Sequence, residues 1–417
     1  MKKALLISLL ISFTSDIFSQ IIADHTVVDK YKDIPQYYID IVKTKLVWII
    51  GMSHSIGYFN GATLLESYDS KFQSTVWLET SPPAYTNSAM RIGREYLQRE
   101  GVYTNSVGVN NLNSMIGDQA ESGNPFNLVC FGWSYQGTWE NDPGGTIDPV
   151  YRVRWAGSSQ SGPEGNLRWG LDSGDQALTG NSVCMDTYLA AIETYNSYCQ
   201  ANGFPTKAIF STLAVDGDAG TEAGYQRELK SQYIRNYVAA HQGAILFDYA
   251  DILCYNNSGE LNTENWNDGG TLRPHAQIHP DNMKDYDASW NMIDRTSHNP
   301  EDHIGEVGAL RLGKALWWML ARIEGWNGNI SSVVETDDIS NDFKIRVSNE
   351  LIEITSEMHL LPITISLFDL GGNMLANYFT HEVKFTFSSE GLASGIYIIN
   401  VSGGGTSVSR KLMVTSY

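Results

Sequence analysis

Two short segments carry residues able to cooperate in acyl transfer: Gly51-Met52-Ser53-His54-Ser55 and Glu301-Asp302-His303-Ile304-Gly305. A serine hydroxyl is barely ionised at neutral pH and attacks a carbonyl only when a base takes its proton. Histidine titrates in the required range, so His303 is the candidate base for Ser53. A carboxylate that holds the imidazole would complete a triad. Asp302 and its neighbour Glu301 are the acids at hand, with a backbone carbonyl as the alternative in a Ser–His dyad. Charge developing on the attacked oxygen needs donors. The backbone N–H of Ser53, that of Thr80 or Ser81, and the Ser134 hydroxyl are the candidates. His54 is read as a cleft-wall residue in contact with substrate, because adjacent residues on a turn seldom align for proton transfer.

These residues need a scaffold that brings distant parts of the chain together. The apolar run Leu46-Val-Trp-Ile-Ile50 reads as a buried strand that delivers the Ser53 turn. Further strands are expected at Ser74–Leu78, Phe126–Phe131, Lys207–Leu213 and Ala244–Tyr249. Helical patterns occupy Gly61–Tyr68, Met185–Gln200, Tyr225–His241 and Leu310–Ile323. Short apolar strands alternating with helices imply a parallel sheet covered on both faces, a three-layer α/β/α domain over residues 20–330. Residues 133–180 interrupt the alternation with a Gly- and Trp-rich excursion. It leaves the third strand at its C-terminal end, where ligands bind in open α/β sheets. Trp133, Trp139, Trp155 and Trp169 offer flat apolar faces of the kind that stack on sugar rings, and are read as a substrate platform, with core packing as the other reading for at least half of the tryptophans in the excursion.

The whole chain of 417 residues is 42% hydrophobic and 18% charged, a globular composition. Its 28 basic and 47 acidic residues leave a net charge of −19, which argues against nucleic acid as a partner. Lys2 and Lys3 precede the apolar run Ala4–Phe13, and Ser19-Gln20 is a cleavage point, so residues 1–19 read as a signal peptide. No later stretch is long and apolar enough to span a bilayer, and no membrane span is expected in the mature chain. Cys184 and Cys199 fall on one helical pattern roughly 22 Å apart and cannot pair there. Cys130, in an apolar strand, reads as a small buried hydrophobe. None of the four cysteines has metal-ligand spacing. The acidic loops at Asp216-Gly-Asp218 and Asp281–Asp287 are read as turn formers, with a calcium site as the alternative. Neither metal nor cofactor is expected.

Near residue 330 the pattern changes. A polar linker, Glu335-Thr-Asp-Asp-Ile-Ser-Asn-Asp342, leads into period-two alternation: Phe343, Ile345, Val347; Ile363, Ile365, Leu367; Val383, Phe385, Phe387; Tyr397, Ile399, Val401. Residues 331–417 therefore read as a small all-β sandwich.

The order of elements over residues 44–326, with the two reactive segments, resembles the SGNH or GDSL-like hydrolase superfamily. That resemblance implies a flavodoxin-like α/β/α fold and a serine esterase with Ser53 as nucleophile and His303 as base. Thr80 stands in the second-block position, and Ser134-Tyr135, after Gly132, where that family carries an Asn-Asp pair. The expected substrate is an acyl ester on a polysaccharide. The alternative is a non-catalytic glycan-binding protein on the same fold. The C-terminal residues Ile363–Leu375, Leu392–Val401 and Arg410–Val414 resemble the sorting domain of the type IX secretion system of Bacteroidota. This implies the type IX machinery as a partner and a secreted or surface-displayed product. A carbohydrate-binding sandwich is the other reading of that segment.

Overall fold

The computed structural model of the chain describes residues 20–51, 53–78, 80–94, 101–133, 146–157, 167–215, 221–283, 304–328, 343–348, 351–389, 392 and 395–414. They fall into two compact units: one takes the chain up to Lys32 and Ile39–Glu324, the other Asp33–Tyr38 and the chain from Gly325 onward. The proposed signal peptide and the acidic linker lie outside the described residues.

The first unit runs β1 (Ile21–Ala23), α1 (Gln36–Lys43), β2 (Leu46–Gly51), α2 (Ile56–Tyr68), β3 (Ser74–Leu78), β4 (Met90–Arg94), α3 (Gly101–Thr104), α4 (Ser106–Glu121) and β5 (Leu128–Gly132). It continues with α5 (Gln176–Thr179), α6 (Met185–Asn202), β6 (Lys207–Ser211), α7 (Glu222–Ala240), β7 (Ile245–Phe247) and α8 (Tyr249–Cys254). A hairpin follows, β8 (Thr263–Asp268) and β9 (Thr271–Ala276), then α9 (Pro280–Met283) and α10 (Glu306–Ile323). Seven strands form one sheet in the order β1-β7-β6-β5-β2-β4-β3, every neighbouring pair parallel. The unit is therefore α/β.

Local sequence explains the central strands. Leu46 to Ile50 of β2 are each 0% exposed, and β5 is buried along its whole length. A strand covered on both faces needs no polar alternation, hence the unbroken apolar runs. Helices α2 and α10 pack so closely that their backbones meet. A Cβ on Gly61 would lie 2.2 Å from the Ala309 carbonyl oxygen, and one on Gly313 2.2 Å from that of Gly61. Only glycine at both positions permits this approach.

Two strands escaped the sequence reading. Residues 21–45 read as a polar lead-in, yet Ile21–Ala23 pairs with β7. Met90–Arg94 carries two arginines among five residues, which masks it as a strand. Arg91 is nevertheless 1% exposed, its guanidinium donating to Asn124 Oδ1 at 2.6 Å, the Thr44 carbonyl at 2.6 Å and the Pro83 carbonyl at 3.3 Å. Acceptors from three separate loops thus hold the terminal nitrogens of a buried charge. Because β4 slots between β2 and β3, the Ser74–Leu78 strand is at the sheet edge rather than beside the strand that leads to Ser53. All four cysteines are buried and unbridged; Cys184 caps α6 instead of lying within it.

The second unit is an antiparallel β domain. It comprises β10 (Phe343–Ser348), β11 (Leu351–Ser356), β12 (Ile363–Phe368), β13 (Met374–Thr380), β14 (Lys384–Ser388), β15 (Gly395–Gly403) and β16 (Thr406–Val414). Two sheets, β10-β11-β14 and β13-β12-β15-β16, share one core in which Ile352, Ile354, Ile363, Ile365, Ile399 and Val401 are 0% exposed. The strict alternation along β12 is that of a strand with one face in this core.

The sheet and helices of the first unit close before Gly325, so a chain ending at residue 328 is expected to unfold as one cooperative transition. Calorimetry checks this. A broad, non-cooperative melt would make the β domain part of the same folding unit.

Candidate active site

Strand β2 leads into one tight helical turn, Ser53–Ser55, that feeds α2. The turn folds over the end of β5. Gly51 and Gly132 are register partners, a Cβ on Gly51 would lie 2.1 Å from the Gly132 carbonyl oxygen, and a Cβ on Gly132 would lie 2.6 Å from the Ser55 Cβ. From β2 the chain continues to β3 and β4 on one side of the sheet, and from β5 to β6 and β7 on the other. The gap between β2 and β5 is thus the topological switch point, where the ends of the strands open a crevice.

The second segment arrives at the same place. Ile304 is 3% exposed, and its Cδ1 lies 2.6 Å from where a Cβ on Gly57, in the first turn of α2, would be. The Tyr249 hydroxyl is 3.3 Å from that same point and donates to the His54 carbonyl at 3.3 Å. The Gly305 N–H donates to the Asn282 carbonyl at 2.7 Å, and the Asn282 side chain donates to the carbonyls of Leu253 and Tyr255 at 2.7 and 2.9 Å. These bonds tie the start of α10 to α9 and to the end of α8. His303 and Asp302, the next residues back along the chain, lie outside the described residues, as do Ser134, Trp139 and the loop aspartates Asp216 and Asp218.

Several expected contacts are corrected. Thr80 is exposed and follows the edge strand β3, two strands from β2, about 10 Å at the usual strand spacing. It is too far to serve the Ser53 turn; β4, registered Gly93 to Trp48 on β2, occupies the position expected of β3. His54 is 2% exposed, packed inside the fold and not on an open wall. Trp133, Trp155 and Trp169 are 2%, 2% and 0% exposed, so none presents a face to a sugar. Trp133 donates its indole N–H to the Ser211 carbonyl at 3.1 Å and packs edge-on against Trp169. Trp155 donates to Asp148 Oδ2 at 3.0 Å. Trp133 and Trp169 thus join the core of the α/β unit beside Phe131 and Tyr188, while Trp155 packs edge-on against Tyr151.

The excursion is pinned to α7. Gln226 accepts from the Ala156 N–H at 2.9 Å and donates to the Arg154 carbonyl at 2.6 Å, while Lys230 donates to the Ala156 carbonyl at 2.8 Å. Lys230 is 0% exposed, and burial pulls its ammonium down to about 7, with Asp175 opposing weakly. An unfolded lysine titrates near ~10.4. Between those values the unfolded chain binds the extra proton, so stability rises with pH there; below about 7 the full penalty is present. Relative to Lys230→Met, the parent's unfolding free energy should climb by up to about 1.4 kcal/mol per pH unit between about pH 7.5 and about pH 9.5. A flat difference in paired denaturant titrations would show that the ammonium stays charged in the fold.

A polar cluster that sequence reasoning missed lies at the ends of β1, β6 and β7. Asp248 accepts from Thr212 Oγ1 at 2.8 Å and from Arg235 Nε and Nη2 at 2.6 and 3.0 Å. His25 Nδ1 pairs with Asp251 Oδ2 at 2.5 Å, and the His25 ring stacks on Tyr255 at 3.5 Å. Burial, reinforced by Asp248, raises the Asp251 carboxyl above its usual range. Asp24, His25 and Asp251 offer donor atoms within 4.8 Å of one another. Those atoms are already engaged: Asp24 accepts from Thr26, and Asp251 from the backbone and ring of His25. Since β1 is four strands from β2, about 19 Å away, this His–Asp pair cannot serve Ser53. A competing thiol nucleophile is also absent at the switch point among the described residues, because burial pushes Cys130 up to about 12.

Comparison with known proteins adds one firm result. Residues 343–415 match the secretion system C-terminal sorting domain. The chain therefore carries a type IX export address, and its product is secreted or attached at the cell surface. A solved structure from Bacteroides vulgatus, a DUF3244-family protein with an immunoglobulin-like β-sandwich fold, is similar at 13% identity over 21% of this chain and 99% of that one, with a TM-score of 0.18. No curated protein matches the chain. No helix among the described residues is long and apolar enough to cross a membrane.

Proposed function

We propose that this protein is an exported SGNH-type serine esterase that removes acyl groups from polysaccharide outside the cell. The observation that carries the reading is the seat of Ile304 on Gly57: the residue after His303 packs four positions beyond Ser53 in the chain. A nucleophile turn and its base would then meet at the switch point, as serine hydrolysis requires. In the proposed mechanism His303 takes the Ser53 proton as the hydroxyl attacks the ester carbonyl, then returns it to the departing sugar oxygen. Water hydrolyses the acyl-enzyme by the same route. Asp302 or a backbone carbonyl would orient the imidazole. The N–H of Ser53 and the Ser134 hydroxyl are the proposed oxyanion donors; Thr80 is set aside because β4 stands between its strand and β2. The export address supports a polymer substrate, since an enzyme outside the cell meets glycan before it meets metabolites.

The test is acetate release from an O-acetylated polysaccharide, together with turnover of p-nitrophenyl acetate by the full chain. Turnover of both supports the esterase. Binding of the polysaccharide with no turnover of either substrate supports the second reading, a glycan-binding protein, which the Ser134-Tyr135 replacement of the Asn-Asp pair favours.

A further inference from the structure

A pocket of about 350 Å³ opens on the outer face of α10, lined by none of the residues assigned to catalysis. Its apolar lining comes from Val307 and Leu310, and Tyr68 stands at its rim, 65% exposed. Arg311 and Lys314 complete the wall, three positions apart on one helix and therefore on the same face. Arg311 is 3% exposed and donates to two neutral acceptors, the Ile252 carbonyl at 3.0 Å and Asn257 Oδ1 at 2.7 Å. Lys314 Nζ lies 5.0 Å from the centroid of the Tyr31 ring. Among the described residues neither cation forms an ion pair with a carboxylate within 4.0 Å.

Such an arrangement favours an anion. Asp29 and Asp251 offset the buried Arg311 guanidinium only through space, its hydrogen bonds go to neutral groups, and Lys314 one turn away carries the same charge. The electrostatics agree: burial outweighs the opposing Asp29 and, with Arg311 and Lys32 adding to it, holds the Lys314 ammonium below its ordinary value. Burial likewise lowers Arg311 to about 10. The surroundings also select among anions. Glu306 lines the same pocket, accepting from the Tyr68 hydroxyl at 3.2 Å, and would repel a dianion more than a monoanion. An apolar floor beside an exposed aromatic ring suits the flat face of a sugar, and the volume is at the small end of ligand pockets.

We propose that this pocket binds one acidic sugar unit, its carboxylate between Arg311 and Lys314 and its ring over Leu310 and Tyr68. The proposal goes beyond the esterase reading and does not depend on it, because its readout is binding and none of its residues takes part in the Ser53 chemistry. In a chain of net charge −19, this local pair of cations is what would let an acidic polymer dock at all.

The experiment is calorimetric titration of the full chain with a trimer of galacturonic acid and with its methyl ester. The acid should bind with an affinity that falls as salt is raised, and the ester at least about tenfold more weakly. Lys314→Gln should weaken the acid about tenfold and Lys314→Glu should abolish binding, while thermal melts without ligand stay close to the parent. Tyr68→Ala, at an exposed position, should weaken the trimer but leave the preference for acid over ester. Equal binding of acid and ester, unchanged binding by Lys314→Glu, or no binding of the trimer would overturn the proposal. Displacement of the trimer by an equal concentration of inorganic sulfate would also overturn it, because a bare anion would then suffice.

Discussion

Replacing Ser53 by alanine is expected to lower ester turnover by at least about a thousandfold, with the thermal melt unchanged. The size follows from the chemistry. Without a hydroxyl no acyl-enzyme forms, and only water held near the oxyanion donors can react. His303→Ala should cost a similar factor, and the double variant little more than either single change, because the two groups act as one unit. Steady-state rates on p-nitrophenyl acetate decide it. Activity of Ser53→Ala within threefold of the parent would place the nucleophile elsewhere.

The second large effect is structural and reaches the site through the helices. Gly61→Val is expected to destabilise the first unit by about 3 kcal/mol or more. The Cβ at this position would lie 2.2 Å from the Ala309 carbonyl oxygen and 2.7 Å from the Gly313 nitrogen. Both are backbone atoms, so no rotamer change relieves the clash and α2 must part from α10. Ser53 precedes α2 and the His303 segment precedes α10, so parting the helices also separates the proposed nucleophile and base. Misplacement by about 1 Å is enough for a loss near a hundredfold in rate. Denaturant titration gives the first quantity, and turnover per folded molecule the second. A variant within about 0.5 kcal/mol of the parent would contradict the close packing of these helices.

The elements legible in the sequence are those whose burial is complete. Leu46–Ile50 reads as a strand because every residue is apolar, and α10 because its apolar stripe runs for five turns between Glu306 and Ile323. The illegible elements depend on partners remote in the chain. Met90–Arg94 becomes a strand only because Thr44, Pro83 and Asn124 accept from Arg91, and nothing local announces that. His25 and Asp251 are likewise 226 positions apart, and only the pairing of β1 with β7 brings them together.

The tryptophans show the same limit from the other side. Composition places Trp133, Trp155 and Trp169 in a polar, Gly-rich segment, which suggests exposure. Trp133 bonds to Ser211 and packs on Trp169, and Trp155 bonds to Asp148, so all three are buried. Thr80 holds the second-block position in the resemblance, yet the strand Met90–Arg94, which nothing local announces, stands between β3 and β2 and puts it out of reach. The Ser53 turn stayed legible because two local features define it, an apolar strand and a glycine at the strand's end.

The most direct test of Ser53 as a nucleophile is labelling of the full chain with a fluorophosphonate, followed by peptide mass spectrometry. One adduct on the peptide containing Ser53, lost in His303→Ala, is the expected result. No adduct under conditions that label a control serine esterase, or an adduct on a different peptide, would contradict it.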